Sequence, residues 1–307
     1  MSRSAAVIAS DLAAPERELP GLLERLRGDA STRVLAVRGD AAPRAAGDVP
    51  ALHAVAPADV PAGAEWGFLG RDADGAAVLV AAFDPAEPEP FDAPAGWAGL
   101  REIGATLDPG ETHTFIVAVS LGRWLVGHRF CPACGGRAVL KQAGWSRRCE
   151  SCGREHFPRT DPAVIVAVTD PGRTRLLLGA NAAWGGRMHS CFAGFVETGE
   201  SLESAIHREL LEEAGVRLRD VRYRGSQPWP YPRSLMLGFE AVAEDVEAAR
   251  PDGTEILAVR WFTREEVGAG LAGEGPTAFP SGVSIAHRLI RSWYEETGPA
   301  GAAGVGR

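Results

Sequence analysis

Glu209, Glu212 and Glu213 stand three and four residues apart in GESLESAIHRELLEEAGV (199–216), and on a helix that spacing crowds three carboxylates onto one face. Each like-charge pair of this kind weakens a helix by roughly 0.2–0.5 kcal/mol, so the grouping calls for a compensating partner or a full coat of water. A hard divalent cation has the right chemistry. Mg²⁺ and Mn²⁺ take carboxylate oxygens and keep part of their water shell, so a helix face with this spacing can hold two or three of them. A solvated helix face is the plainer alternative.

A second constellation is made of sulfur. CPAC (131–134) and CESC (149–152) leave fourteen residues between two CxxC pairs, and each pair is followed by glycine. That is one short of the roughly 15–20 usual in zinc ribbons. Four thiolates from Cys131, Cys134, Cys149 and Cys152 would complete a tetrahedral Zn²⁺ with no open position, so a zinc there is structural. Redox pairs or unligated thiols are the alternatives. His128 and His156 are nearby imidazoles that could substitute as ligands, and Cys191 is expected to be a buried thiol. Arg129, Arg137, Lys141, Arg147, Arg148 and Arg154 surround the cysteines. Solvated surface charge is their expected state, with nucleic-acid contact as the sharper alternative.

The elements that must position these groups follow from apolar patterning. Residues 1–127 alternate short apolar runs, TRVLAVR, AAVLVAAF and TFIVAV, with Pro-, Gly- and Asp-rich turns, which predicts short strands. An apolar helix is expected between Trp97 and Leu107, and DPAEPEPFDAP (84–94) is a loop. DPAVIVAVTD and TRLLLGAN predict a hairpin of buried strands, followed by a loop, WGGRMHSCFAGF (184–195), and then the acidic helix. Three further strands come next, in VRLRDVRYRGSQPW, SLMLGFEAVAE and ILAVRWFT, and an amphipathic helix from about Gly282 to Thr297 closes the chain. The fold class expected is α+β: a mixed sheet between helix layers, preceded by a zinc ribbon and an N-terminal α+β domain. The expected boundaries are 1–127 for a scaffold or dimerisation domain, 128–158 for the ribbon, 159–300 for the catalytic domain and 301–307 for a flexible tail.

Composition narrows the partners. With 307 residues, 45% hydrophobic and 23% charged, the chain has ordinary globular make-up and length for two domains or three small ones. A net charge of −8 argues against a general nucleic-acid coat protein, because nonspecific affinity comes from neutralised phosphates. The apolar run near the N-terminus is about six residues, short of the ~7–15 of a secretory segment, and nothing reaches a membrane span of ~18. A cytoplasmic protein is expected.

Set out in full, GFVETGESLESAIHRELLEEAGV places Gly194, Glu200, Arg208, Glu209, Glu212, Glu213, Gly215 and Val216 at every fixed position of Gx5Ex7REUxEExGU, where U is aliphatic. The chain therefore resembles the Nudix hydrolases. SQPWPYPRS (226–234) begins ten residues beyond this box. With the ribbon upstream it resembles the NADH pyrophosphatase subgroup, whose hallmark has Phe where this chain has Tyr231. The likeness extends over roughly residues 128–295, and more weakly over the N-terminal region.

The resemblance implies hydrolysis of the diphosphate of NADH or NAD⁺ to NMNH or NMN and AMP. Removal of NAD caps from RNA 5′ ends is the alternative main role. It implies two or three Mg²⁺ or Mn²⁺ held by Glu209, Glu212, Glu213, Glu255 and the carbonyl of Ala193. Water would be deprotonated by Glu212, Glu213 or another carboxylate, with Glu213 the first choice. Arg208 is expected to pair with Glu200 and orient it. Prolines 228, 230 and 232 stiffen the segment holding Trp229 and Tyr231, whose rings suit flat bases. Gln227, Arg233 and Ser234 complete the substrate-binding set, with Gln227 and Ser234 able to bond ribose or phosphate. Phe195 is a stacking candidate for the nicotinamide, and Ala286 matches a position whose backbone meets substrate. Phe157 stands where the subgroup often has Tyr, which puts any phenolic bond there in question. Resembling enzymes are homodimers. A noncatalytic zinc-ribbon regulator is the reading from a different functional class.

Overall fold

The structure, a computed structural model, describes residues 7–296. The expected tail at 301–307 and Thr297 at the end of the expected last helix lie outside them. The chain divides into two compact units, Met1–Arg159 and Thr160–Arg307.

In the first unit α1 (Leu22–Arg27), β1 (Arg33–Arg38), β2 (Ala41–Pro43), β3 (Glu65–Arg71), β4 (Ala77–Phe83), β5 (Trp97–Gly99), α2 (Leu100–Ile103) and α3 (Pro109–Gly127) form an α+β layer. Its sheet order is β3-β4-β1-β2-β5. β1 and β4 run parallel, and all seven residues of β4 are buried, as befits a central strand covered on both faces.

Two sequence expectations change here. TFIVAV (114–119) is not a strand but the middle of α3. Pro109 opens that helix, and the Asp108 carboxylate accepts the Gly110 N–H at 2.7 Å, satisfying a donor that would otherwise be orphaned. The helix buries a wide arc, including Phe115, Ile116, Val119, Leu121, Trp124 and Leu125, so its apolar run looks continuous and lacks the period that would separate helix from strand. The expected helix from Trp97 to Leu107 shrinks to Leu100–Ile103, because Trp97–Gly99 pairs with β2 instead.

β6 (Ala138–Lys141), β7 (Ser146–Cys149) and β8 (Glu155–His156) make a three-stranded antiparallel sheet, the ribbon. Trp145 Nε1 donates to the Phe68 carbonyl at 2.7 Å. Arg147 donates to the carbonyls of Ala138 and Leu125 and pairs with Glu65. Arg147 is therefore not solvated charge: it is 4% exposed, and its three backbone and carboxylate partners offset the cost of burying it. Arg129 also pairs with Glu65, at 3.2 Å.

The second unit holds β9 (Asp161–Thr169), β10 (Arg175–Asn181), β11 (His189–Ser190), β12 (Phe192–Phe195), α4 (Leu202–Ala214), β13 (Leu218–Trp229), β14 (Ser234–Ala243), β15 (Ile256–Thr263), α5 (Arg264–Leu271) and α6 (Ile285–Glu295). Its seven strands form one mixed sheet, with β9 parallel to β14 and every other pairing antiparallel. One face buries Val164, Val166 and Phe192 against Ile206, Leu210 and Ala214 of α4. The other buries Ile165 and Leu176 against Leu289, Ile290 and Trp293 of α6 and Val267 of α5. This is the expected α/β/α sandwich, but the expected loop WGGRMHSCFAGF supplies two of its strands, β11 and β12, which pair with β10 and β9. SQPWPYPRS is less of a loop than its prolines suggest, since β13 continues to Trp229, β14 resumes at Ser234, and only 230–233 turn. Among the described residues no helix is long and apolar enough to cross a membrane.

Candidate active site and zinc centre

Helix α4 is capped at both ends by residues of the acidic motif. The Ser201 hydroxyl accepts the Ser204 N–H at 3.1 Å. At the other end Gly215 takes φ 66°, a left-handed turn that lets the Val216 N–H reach back to the Leu210 carbonyl at 3.2 Å. Ala205, Ile206, Leu210 and Ala214 face the core, so the helix is pinned, and Glu209, Glu212 and Glu213 are presented at its edge.

Gly194 on β12 lies against the Glu209 carboxylate. A Cβ at that position would fall 1.9 Å from Glu209 Cδ, so only glycine admits the carboxylate there. Ala193 precedes it, paired with Ile165 of β9.

Arg208 gathers the neighbouring acids with five hydrogen bonds. Its Nε and Nη2 fork onto Glu200 at 2.9 and 2.8 Å, its Nη1 donates to Glu209 at 2.8 Å and to Glu212 at 3.2 Å, and Nη2 reaches the Phe195 carbonyl at 3.0 Å. The Arg208 guanidinium, seconded by the Glu197 amide, holds the Glu200 carboxyl below its usual range. The expected Arg208–Glu200 pair is present, and Arg208 also reaches two other acids of the motif.

Glu213 is 6% exposed, and its Oε2 is buried without a hydrogen-bond partner. Burial, then the charges of Glu255, Glu209, Asp252 and Glu212, push its carboxyl up to about 8. Burial likewise raises Glu209, although Arg208 opposes it. A buried oxygen with no donor, ringed by four other carboxylates, is a place for a cation. Hard Mg²⁺ or Mn²⁺ suits this all-oxygen donor set. Among the described residues only the four ribbon cysteines bring ligand atoms within 4.8 Å of one another.

Two side chains not foreseen from the sequence hold Glu255. Asn181 Nδ2 donates to Glu255 Oε1 at 3.2 Å, and the Asp252 carboxylate accepts the N–H groups of Glu255 at 3.1 Å and Ile256 at 2.7 Å. Those amides keep the Asp252 carboxyl below its usual range. The signal was present in the Pro-Asp-Gly sequence at 251–253, a turn in which an Asp side chain bonds amides further along its own chain.

The expected substrate residues divide. Phe195 is 53% exposed beside the acidic cluster, and the Trp229 and Tyr231 rings pack 5.0 Å apart at 54°. Pro228 and Pro232 are exposed, Pro230 is buried, and Arg233 pairs with Asp161 at 2.9 Å. Ser234 and Ala286 are buried at 5%. Gln227 is bonded at both ends of its amide within the protein, donating to the Val283 carbonyl and accepting the Ile285 N–H, each at 2.6 Å. Phe157 belongs to the first unit, where the Arg159 guanidinium lies 5.7 Å over its ring.

In the ribbon the four sulfurs lie within 4.8 Å of one another, with Cys131–Cys152 at 3.7 Å and Cys134–Cys149 at 3.5 Å. Tetrahedral zinc with ~2.3 Å bonds to sulfur requires about 3.8 Å between sulfurs, so the cage fits Zn²⁺. Gly135 and Gly153, at φ 72° and 71°, close the knuckles, their N–H groups returning to the carbonyls of Cys131 and Cys149. The amide of Cys152, with that of Ser151, draws the Cys149 thiol down to about 6, toward the thiolate that zinc needs. His156 Nε2 lies 3.2 Å from Cys131 Sγ, outside the four-sulfur set, and no imidazole replaces a cysteine. Cys191 is buried as expected, its thiol pushed up to about 12 by desolvation.

A cleft of about 720 Å³ in the first unit is lined by Arg17, Arg27, Lys141 and Arg148 together with Glu18, Glu24, Glu65 and Glu155. Its charges balance, and it contains none of the acidic-cluster residues and none of the zinc-site cysteines.

Comparison with known proteins gives matches over most of the chain. Residues 159–280 match the NUDIX domain, 128–157 the NADH pyrophosphatase zinc ribbon domain, and 12–124 the NADH pyrophosphatase-like rudimentary NUDIX domain. A Mycobacterium bovis protein named NAD-capped RNA hydrolase NudC is 41% identical over 300 residues, covering 93% of this chain and 90% of that one. The Homo sapiens NAD-capped RNA hydrolase NUDT12 is 40% identical over 186 residues, 57% of this chain and 40% of that protein. A crystal structure of a NUDIX hydrolase from Nitrosomonas europaea covers 55% of this chain and 92% of its own, at 25% identity and a TM-score of 0.41. The chain belongs to the Nudix hydrolases, in the NADH pyrophosphatase subgroup that carries a zinc ribbon.

Proposed function

We propose that the protein hydrolyses the diphosphate bond of NADH and NAD⁺, giving NMNH or NMN and AMP. The observation that carries this reading is the buried, unpartnered Glu213 carboxylate beside Glu209, Glu212 and Glu255. Divalent cations would supply the countercharge that this cluster of carboxylates lacks. Mg²⁺ or Mn²⁺, two or three per site, would be held by Glu209, Glu212, Glu213, Glu255 and the Ala193 carbonyl; bound there, they neutralise diphosphate charge and acidify water.

The chain's own residues do the rest. Glu213, buried among the other carboxylates, takes the proton of the attacking water, and Glu212 is the exposed alternative. Water oxygen bonds to phosphorus as the bridging oxygen leaves with the other phosphate, so one water is consumed and two monophosphates form. Arg208 stays on Glu200 and keeps the Phe195 carbonyl, at the end of β12, in register with α4. Phe195, Trp229 and Tyr231 supply rings for the flat nicotinamide and adenine.

NAD-capped RNA, cleaved at the same bond, is the second substrate. It is favoured by the mycobacterial relative, which is named for that activity and matches along 93% of this chain. We place the protein in the cytoplasm as a homodimer, with residues 1–127 as scaffold or dimerisation domain. Product analysis after incubation with NADH, NAD⁺, ADP-ribose and NAD-capped transcript tests the reading. AMP with NMNH from NADH is expected, and no AMP release with Mn²⁺ present overturns it. Rates on NADH and on capped transcript at two salt concentrations separate the substrates, because only the polymer loses much affinity with salt.

A further inference from the structure

The loop between β10 and β11 carries WGGR (184–187), and two of its side chains, Trp184 and Arg187, are exposed, Trp184 at 43%. This loop begins on the wall of the acidic cluster. The Ala182 N–H donates to the Glu255 carbonyl at 2.8 Å, while Asn181 braces the Glu255 carboxylate and accepts the Ala183 N–H at 2.8 Å. Those bonds set a short turn, Ala182–Trp184, directly against Glu255, whose charge bears on Glu213 and Glu209.

Gly185 and Gly186 follow at φ 64° and 68°, left-handed values that other residues resist, and their N–H groups return to the carbonyls of Ala182 and Asn181 at 2.9 and 3.3 Å. The chain thereby curls back beside β15: a Cβ on Gly186 would lie 3.5 Å from Leu257 Cδ1. A Cβ on Gly185 would lie 3.9 Å from Arg187 Nε, so the Arg187 side chain folds back toward the residue that follows Trp184. At the far end the His189 N–H is held by the Ala278 carbonyl at 3.0 Å. Ring and cation are carried together on a loop anchored at both ends.

A single exposed aromatic or arginine is ordinary surface. Their pairing at this place is not. Among the described residues Arg187 forms no ion pair, although the chain carries a net charge of −8 and the loop starts at a carboxylate. An exposed ring beside an uncommitted guanidinium suits a base and its phosphate. Free NADH leaves that pair without a task, since Phe195, Trp229 and Tyr231 provide rings for its two bases and divalent cations meet its diphosphate. A capped transcript brings one more base and a phosphodiester immediately beyond the adenosine.

We infer that Trp184 and Arg187 contact the first nucleotide of the RNA body beyond the NAD cap, Trp184 stacking on its base and Arg187 pairing with the phosphodiester that joins it to the adenosine. This rests on the diphosphatase reading above and deepens it, because the loop then distinguishes capped RNA from the free dinucleotide. It takes no part in bond cleavage.

The test uses full-length zinc-loaded protein and the variants Trp184→Ala, Arg187→Gln and Arg187→Lys. kcat/KM is measured with Mn²⁺ on NADH and on an NAD-capped oligoribonucleotide. Affinity for the same oligonucleotide, carrying a fluorophore at its 3′ end, is read by anisotropy across a salt series without added divalent metal. W184A and R187Q are expected to lose at least fivefold in kcat/KM on capped RNA while staying within twofold on NADH. R187Q should also flatten the slope of log affinity against log salt by about 0.7, as for one phosphate contact to a single strand, whereas R187K keeps the charge and the slope. Equal losses on both substrates overturn the inference, because the loop would then belong to the dinucleotide pocket. Wild-type rates on both overturn it too, as does a wild-type protein that hydrolyses NADH but not capped RNA. Were the wild type inactive on both, the functional reading would fall, and the loop would be judged by affinity alone: an unchanged salt slope in R187Q overturns it.

Discussion

Gly194 and Glu209 occupy one another's space: a methyl group on Gly194 would lie 1.9 Å from Glu209 Cδ and 2.0 and 2.2 Å from its two oxygens. The overlap is with the far end of a flexible side chain, which can swing away, so Gly194→Ala should leave the fold intact while displacing a carboxylate of the cation site. Its melting temperature should stay within a few degrees of wild type, while Mn²⁺ affinity falls at least tenfold and turnover on NADH at least a hundredfold. Calorimetric titration with Mn²⁺ and a coupled AMP assay check this. Wild-type Mn²⁺ affinity in the variant would remove Glu209 from the site.

Arg208 should prove more demanding than its charge. A lysine keeps the positive charge but cannot fork onto Glu200 while also reaching Glu209, Glu212 and the Phe195 carbonyl. Arg208→Lys is expected to lower kcat about tenfold, within the 10–100-fold typical when partners that orient metal ligands are lost. Glu200→Gln should do the same, and the double variant should be little worse than either single one. Steady-state kinetics on the three proteins measure the coupling; fully multiplicative losses would show that the two act separately.

Much of this site was legible because local covalent spacing carries it. Helical period alone places Glu209, Glu212 and Glu213 together, and CxxC spacing brings each pair of sulfurs near a common point. What stayed hidden depends on contacts between elements far apart in the chain. Nothing local shows that Gln227 would bond residues 283 and 285, or that Arg147 would be buried against Glu65 and Leu125. TFIVAV was misplaced for a related reason: a helix buried over most of its girth loses the polar face that marks its period. Asn181, which braces Glu255, lies 74 residues away from it and carries no motif of its own.

The ribbon should depend on zinc as a unit. Cys131 and Cys149 are each 2% exposed whereas Cys134 and Cys152 are exposed, so the four sulfurs sit at the edge of a small three-stranded sheet whose two knuckles a metal would tie together. Cys149→Ser should reduce bound zinc from about one per chain to near zero. It should also shift the fluorescence of Trp145, whose indole N–H is held by the Phe68 carbonyl. Zinc release followed by a colorimetric chelator, together with emission spectra, reads both effects. Full zinc retention in C149S would exclude the four-cysteine site.

Glu213 offers a prediction in which stability and activity move apart. Its carboxyl ordinarily titrates near 4.5 and in the fold is pushed up to about 8, by burial first and by Glu255, Glu209, Asp252 and Glu212 after it. A carboxyl raised in the native state favours folding while it is protonated in both states. Its contribution is complete below about pH 4.5 and is lost as pH rises toward 8, at up to about 1.4 kcal/mol per pH unit. Metal-free wild-type protein should therefore unfold at lower urea concentration at pH 8 than at pH 6. Glu213→Gln, neutral at both, should flatten that slope, with the remainder due to Glu209, which burial also raises. Mn²⁺ should reverse the wild-type trend, since a cation binds the deprotonated carboxylate and stabilises the fold by mass action. Turnover on NADH should fall at least a hundredfold in the variant. Urea titrations at the two pH values with and without Mn²⁺, set beside the AMP assay, give four comparisons. Near-native turnover in Glu213→Gln would remove Glu213 from the chemistry, whereas an unchanged pH slope would show that the buried carboxylate is already paired in the free protein.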